Sequence, residues 1–345
     1  MSHMKKDHPP LKHLMPGWFA IVMGWCGLAL AWHRAAPAMG ETAASVSLVA
    51  AAIAAGIFVA LSLAMLWRWQ AHGPALREDL AHPVRHTFFA AIPISGLLLA
   101  TLGVALFGTE APGVSALWWL SSLAQFGVTL WVLSRWIAGP VGGPNTKPNW
   151  SAVTPVLFIP IVGNVLAPLA GLPLGHGAWA AAQFGLGLLF WPAVMVLILV
   201  RIGQAGMPPE RMLPTMFIFV APPAVVGAGA MQFGAPPVLT WMLWGMALFL
   251  ALWAATLARR IASMPFGIPH WGISFPLAAL AVLTLRLADT PEGRWLQVPA
   301  LALLALASLI ILGLSFATVR GLRAGTLLVP EGPPVIPIQP QAGAA

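Results

Sequence analysis

Charged residues are scarce in this 345-residue chain. Asp, Glu, Lys and Arg together make up 8% of it, whereas about 25% is usual in soluble proteins. Hydrophobic residues make up 59%, and the mean hydropathy is +0.86. So few charges could not cover the surface of a 36.3 kDa water-soluble fold. The composition therefore excludes a soluble protein and predicts an integral membrane protein.

Cysteine and intramembrane charge are nearly absent as well. Cys26 is the single cysteine, which excludes a disulfide framework, a cysteine-based metal site and dithiol redox chemistry. The middle third of each long apolar run contains no Asp, Glu or Lys, so proton relays and charged coupling sites are not expected. No H-E-x-x-H motif, phosphate-binding loop or nucleophile elbow occurs in a plausible context. We therefore expect no enzymatic activity, no metal and no cofactor.

Apolar runs separated by short polar breaks predict ten membrane-spanning helices. The predicted fold class is an all-α polytopic membrane protein. Its predicted parts are an N-terminal cytoplasmic segment at 1–15, a transmembrane domain at 16–323 and a disordered cytoplasmic tail at 324–345, which is rich in Pro, Gly and Ala. The predicted spans are 16–33, 43–67, 88–107, 114–137, 150–169, 176–200, 211–231, 236–257, 269–288 and 297–320.

Lysine and arginine are distributed unevenly between the two ends of these spans. Of the 17 basic residues, 14 fall on the end that carries both termini, and three fall on the other end: Arg34, Arg286 and Arg294. Because cytoplasmic loops are enriched in Lys and Arg, both termini should face the cytoplasm. The net charge of +8 then reports topology, and no nucleic-acid partner is expected.

Proline and glycine, by contrast, are abundant, with 33 and 34 copies. The interior prolines fall almost entirely in odd-numbered spans, which predicts bent inner helices around a central pore and plain even-numbered helices outside, arranged as five helical hairpins. Chance placement is the alternative interpretation. The interior prolines are Pro93, Pro155, Pro160, Pro222, Pro223 and Pro276 in odd spans and Pro192 in an even span.

Small residues on the odd spans either leave room for a path or simply allow close helix packing. The candidate pore-lining or kink positions are Gly24, Pro93, Ser95, Pro160, Pro222, Ser274 and Pro276. Phe275 places a bulky ring between Ser274 and Pro276 in the ninth span. From the residues alone, this ring could plug a narrow pore or could be an ordinary packed or lipid-facing phenylalanine.

The missing intramembrane charges favour a passive channel over an actively coupled carrier. The absence of an acidic ring and the basic cytoplasmic face favour anions, although the same basic residues already account for the topology. A secondary carrier is the alternative.

Three segments resemble the tellurite-resistance/dicarboxylate transporter family, which includes bacterial TehA and the plant guard-cell slow anion channels. They are residues 16–24 (PGWFAIVMG), residues 82–93 (HPVRHTFFAAIP) and residues 271–276 (WGISFP). The resemblance covers about residues 14–323. The His-Pro-Val-Arg run before a proline-containing helix is the most specific of these motifs.

The resemblance implies a homotrimer in which each protomer has its own pore inside five inner helices. It assigns the gate to Phe275 and implies passive flux of small monovalent anions such as chloride and nitrate, with membrane lipid as the surrounding partner. Because bacterial members are also linked to dicarboxylate, sulfite and tellurite handling, the alternative is a secondary carrier or exporter of C4-dicarboxylate, sulfite or tellurite-type oxyanions. A bacterial inner membrane is the implied location. The long termini through which plant members are phosphorylated have no counterpart here, so kinase control is not implied.

Overall fold

The computed structural model describes residues 10–138 and 153–330, and the regular structure within these ranges is entirely helical. Ten apolar helices follow one another along the chain. We label them α1 (Pro16–Met39), α2 (Glu41–Ala71), α3 (Arg85–Phe107), α4 (Val114–Ala138), α5 (Pro155–Gly171), α6 (Gly177–Ala205), α7 (Glu210–Gln232), α8 (Pro237–Ala255), α9 (Ile268–Ala288) and α10 (Pro291–Arg323).

Nine of these helices in the described ranges are long and apolar enough to cross a membrane, and α5 is shorter. The predicted fifth span corresponds to this shorter helix, and its first residues, 150–152, lie outside the described part of the chain. Other helices exceed the predicted spans: α1 continues to Met39 and α6 to Ala205. Hydropathy underestimates these lengths because helical hydrogen bonding continues past the apolar run into the polar boundary.

The odd-numbered helices are much more buried than the even-numbered ones. Between 61% and 89% of the apolar window is buried in α1, α3, α7 and α9, whereas the even helices bury only 22% to 39%. Helix α5 is buried along nearly its whole length. Because exposed leucine, valine and phenylalanine side chains cover the even helices, these helices present the surface suited to lipid.

Contacts among the odd-numbered helices close a ring. Helix α1 packs against α3, α3 against α5, α5 against α7, α7 against α9, and α9 returns to α1. Each even-numbered helix packs against the odd-numbered helix that precedes it, as expected for consecutive helical hairpins. The chain thus forms an inner set of five buried helices and an outer set of five exposed helices.

The prolines of the inner helices lie where 3-10 helix changes to α-helix. The α-helical part of α3 begins at Ala91, that of α7 at Ala221 and that of α9 at Ser274, so Pro93, Pro222 and Pro276 stand in the first turn of each. A first-turn residue needs no intrahelical partner for its N–H, so proline is tolerated there. The predicted kink positions Pro93, Pro222 and Pro276 thus coincide with changes of helix type, and the kinks themselves stay a prediction.

A buried ion-pair network ties together the end of the molecule that carries most of the basic residues. Arg68 in α2 pairs with Asp79 of the short helix Gly73–Ala81 at 2.6 Å, and both side chains are 2% exposed. Arg85, at the start of α3, contacts the other Asp79 oxygen at 3.1 Å, and Arg68 Nε donates to the Lys12 carbonyl. Asp79 therefore connects α2 with α3, and Arg68 connects α2 with the N-terminal segment.

The first part of the predicted disordered tail turns back on α10. Leu327 packs against Gly321, and the Thr326 N–H donates to the Gly321 carbonyl at 3.0 Å. The remainder of the predicted tail, from residue 331, and residues 1–9 of the predicted N-terminal segment lie outside the described residues.

Candidate functional site

A small cavity lies at the centre of the helix ring. Each of the five odd-numbered helices contributes to its wall, and none of its lining residues belongs to an even-numbered helix. Its volume is about 30 Å³. The lining residues are Gly27 and Leu30 in α1, Leu98 in α3, Leu166 and Leu169 in α5, Ala224, Val225 and Ala228 in α7, and Phe275, Ala279 and Val282 in α9.

The lining of this cavity is uncharged and consists of aliphatic side chains, one glycine and one phenylalanine. Since a water molecule needs about 10–15 Å³ of such space, the cavity has room for about two. A hydrated ion could not pass through so small a volume.

Among the described residues, Phe275 is the only aromatic one in the cavity wall. Its side chain is 7% exposed, and its ring lies beside Gly27 of α1. A Cβ atom on Gly27 would lie 3.2 Å from Phe275 Cδ2 and 2.9 Å from Ala278 Cβ, so the missing side chain gives the ring its space. The structure therefore places the predicted gate residue against the axis of the ring and not against lipid.

Gly24 and Ser274 lie together in the packed contact between α1 and α9, outside the cavity wall. A Cβ atom on Gly24 would overlap Ser274 Oγ and lie 2.8 Å from Ser274 Cβ. The Ser274 hydroxyl donates to the Trp271 carbonyl at 2.7 Å. Ser95 is similar, because its hydroxyl donates to the Ala91 carbonyl at 2.7 Å within α3 and faces Phe19 of α1. These small residues allow close helix approach.

The proline positions are also buried outside the cavity wall. The carbonyl of Pro160 accepts hydrogen bonds from Gln125 and Thr129 of α4 and from Asn164 one turn along α5. An outer helix thus supplies the donors that an irregular inner helix needs inside a membrane. Pro93, Pro222 and Pro276 are buried at the junctions described above. Among the candidate positions, Phe275 alone lines the cavity.

Several wall residues were not predicted from the sequence. Gly27, Ala279 and Val282 carry no motif that separates them from other small or aliphatic residues in the same helices. The available signal was spacing, because Phe275, Ala279 and Val282 follow one another at helical intervals on one face of α9. Spacing becomes informative only after one residue of that face has been located.

The contact between Gly24 and Ser274 makes a testable prediction. Gly24→Ala should lower the free energy of unfolding by about 1–3 kcal/mol, because the added methyl group overlaps Ser274. Gly56→Ala is the matched control, because Gly56 is exposed in the middle of α2 with no atom within 4 Å of a built Cβ, and it should cause no loss. Thermal unfolding in detergent measures both. Equal midpoints for the two variants would contradict the prediction.

A ring of buried helices surrounded by exposed apolar helices, with a small uncharged cavity at its centre, is typical of a polytopic membrane protein of the channel and transporter class. The chain belongs to the family described as SLAC1, voltage-dependent anion channel, which matches residues 13–319. It is therefore an integral membrane protein of an anion channel and transporter family, whose members are not enzymes. The family predicted from the three sequence motifs is confirmed.

Individual relatives are distant. The S-type anion channel SLAH3 of Arabidopsis thaliana is 25% identical over 71% of this chain and 38% of its own length. The tellurite resistance protein TehA homolog of Haemophilus influenzae is 25% identical over 68% of this chain and 70% of its own. An uncharacterized transporter of Methanocaldococcus jannaschii is 23% identical over 78% of this chain and 82% of its own length. The chain thus spans well under two thirds of the plant channel and a larger share of the microbial relatives.

Proposed function

We propose that this protein is a gated passive channel for small monovalent anions such as chloride and nitrate. The path runs through the ring of odd-numbered helices in each protomer and is closed by Phe275. The observation that carries the proposal is the central cavity, because five inner helices alone form its wall and a single aromatic ring lies in it. Family membership supports anions as the transported class.

The uncharged wall suits rapid passive movement. Conduction requires that an ion bind strongly enough to enter and weakly enough to leave, and a wall of leucine, alanine and valine has no charged group to retain an anion. A hydrophobic constriction can close by excluding water, without a change of charge. Rotation of one phenylalanine ring would widen such a constriction.

The setting of the channel is part of the proposal. The 14 basic residues on one end of the helices support cytoplasmic N and C termini in a bacterial inner membrane. The resemblance to the family supports a homotrimer with one path in each protomer, embedded in lipid.

Reconstitution into liposomes tests this function. We expect chloride and nitrate flux that dissipates an imposed gradient, with sulfite and malate slower, and discrete current steps in planar bilayers. Saturable flux at about 10³ s⁻¹ or slower, the rate set by microsecond-to-millisecond rearrangements, would instead indicate a carrier. Fast transport of sulfite or malate without current steps would favour export of oxyanions and contradict the proposal.

A further inference from the structure

An arginine continues the cavity-lining face of α9. Phe275, Ala279 and Val282 lie on one face of this helix at spacings of four and three residues, and Arg286 follows four residues later. At 1.5 Å per residue, Arg286 lies about 6 Å beyond Val282 and about 16 Å beyond Phe275 along the helix. This places it at the end of the ring that carries only three basic residues, which we call the arginine-poor mouth.

Two other inner helices bring polar residues to the same mouth. In α1, Gly27 and Leu30 line the cavity, and Arg34 follows four residues later. In α7, Ala228 lines the cavity, and Gln232 follows four residues later. The apolar wall thus ends in polar side chains from α1, α7 and α9. Two of the three basic residues on this side of the molecule are among them.

The guanidinium of Arg286 is only partly satisfied. Its Nη1 donates to the carbonyl of Ala228 at 3.1 Å, which fixes the side chain against a residue of the cavity wall. Its Nε is buried and has no hydrogen-bond partner. Within residues 10–138 and 153–330, no carboxylate lies within ion-pair distance of it. A buried donor without an acceptor is unfavourable, so the position favours a ligand that accepts hydrogen bonds.

The neighbouring charges differ in how far they are neutralised. Arg34 lies close enough to act electrostatically on Arg286, and it faces Asp289 at 3.6 Å, with both side chains of that pair nearly half exposed. An ion pair of this kind is largely screened by solvent. Gln232 donates to the Leu169 carbonyl at 3.4 Å and leaves its own amide oxygen without a donor. Of Arg34 and Arg286, only Arg286 has no carboxylate within ion-pair distance among the described residues.

We propose that Arg286 is an anion subsite at the arginine-poor mouth, where it binds a small inorganic monovalent anion before that anion enters, or after it leaves, the apolar path. Arg34 adds positive potential to the same mouth. The inference rests on the proposed path through the ring. It explains how a path with an uncharged wall can concentrate anions, because the attracting charge lies outside the constriction and not within it.

The subsite predicts a dependence of flux on salt concentration. Arg286→Gln should lower chloride current in planar bilayers about three- to tenfold at about 0.01 M chloride, where charges act over about 30 Å. At about 1 M the range falls to about 3 Å, and the variant and unmodified currents should converge. The loss should be larger for anions that enter from the arginine-poor side.

Two matched variants separate attraction from structure. Arg286→Lys keeps the charge and should retain most of the low-salt current. Arg294→Gln removes an exposed, solvent-screened charge from the same face of the molecule and should lower the low-salt current much less than Arg286→Gln does. Equal currents for Arg286→Gln and Arg294→Gln would overturn the proposal. Arg286→Gln could instead lower the current equally at all chloride concentrations, with the same loss in Arg286→Lys and a lower unfolding temperature. That result would overturn the proposal and show that Arg286 is a structural link between α9 and α7.

A binding measurement separates this inference from the proposed function. Bromide soaked into crystals of the full chain should give an anomalous difference peak beside Arg286 in the unmodified protein and in Arg294→Gln, and no peak in Arg286→Gln. No peak in the unmodified protein would overturn the subsite, whatever the flux. A peak in a protein that conducts no anion would support the subsite and refute the channel.

Discussion

Phe275→Ala is expected to raise chloride and nitrate flux about tenfold or more over the unmodified protein. The ring of Phe275 lies in the wall of a cavity of about 30 Å³ and is enclosed by the inner helices. Removing the Phe275 ring would replace the dry constriction of the proposed path with space that water and an anion can enter. A tenfold change requires a barrier only about 1.4 kcal/mol lower, which is small compared with the cost of dehydrating an ion. Bilayer conductance and liposome flux both measure the change.

The control for this experiment is a phenylalanine that faces outwards. Phe316 in α10 is 70% exposed, so Phe316→Ala makes the same chemical change without altering the cavity, and its flux should equal that of the unmodified protein. Comparable expression and unfolding temperature must be verified for both variants. An unchanged flux in well-folded Phe275→Ala would remove this residue from gating, and an equal increase in Phe316→Ala would attribute the effect to leakage around the protein.

Asp79→Asn is expected to lower the free energy of unfolding by about 3–5 kcal/mol. The substitution leaves Arg68, which is 2% exposed, without its carboxylate, and a buried charge without a partner is strongly destabilising. Arg85 loses a partner at 3.1 Å at the same time. Thermal unfolding in detergent measures the effect. We expect α2 and α3 to be the first helices to separate.

The adjacent carboxylate provides the matched control. Glu78 contacts Arg85 at 3.2 Å, but its side chain is 69% exposed, so Glu78→Gln should cost between zero and about 1 kcal/mol. Similar losses for Asp79→Asn and Glu78→Gln would show that burial of the Arg68–Asp79 pair contributes nothing. That result would contradict the argument.

The predicted helices largely agree with the structure because membrane insertion depends on local composition. An apolar run long enough to cross the bilayer forms a helix whatever its neighbours are, since every backbone group must be satisfied within the segment. The fifth span deviates because α5 is short and alternates between α and 3-10 segments. The Pro160 carbonyl in α5 accepts hydrogen bonds from Gln125 and Thr129, which belong to α4. A hydropathy window centred on α5 does not contain these two residues, so it could not reveal this arrangement.

Of the predicted candidate positions, one lines the cavity and the others lie elsewhere on the inner helices, and their functional roles stay predictions. Phe275 lies at the cavity, whereas Gly24, Ser95 and Ser274 lie in helix contacts. A small residue in a transmembrane helix can either line a path or allow close packing against another helix. Which of the two it does depends on the rotation of the helix about its own axis, and neighbouring helices set that rotation.

The sequence by itself determined the membrane class, the uneven distribution of basic residues and the family, because each follows from composition or from short motifs. It predicted ten spans, and nine of them correspond to long apolar helices in the described residues. Only the tertiary structure decided which face of each inner helix meets the cavity, that Phe275 lines this cavity beside Gly27, and that Arg286 donates to the carbonyl of Ala228 in its wall. These features depend on contacts between residues far apart in the chain, which hydropathy and spacing do not encode.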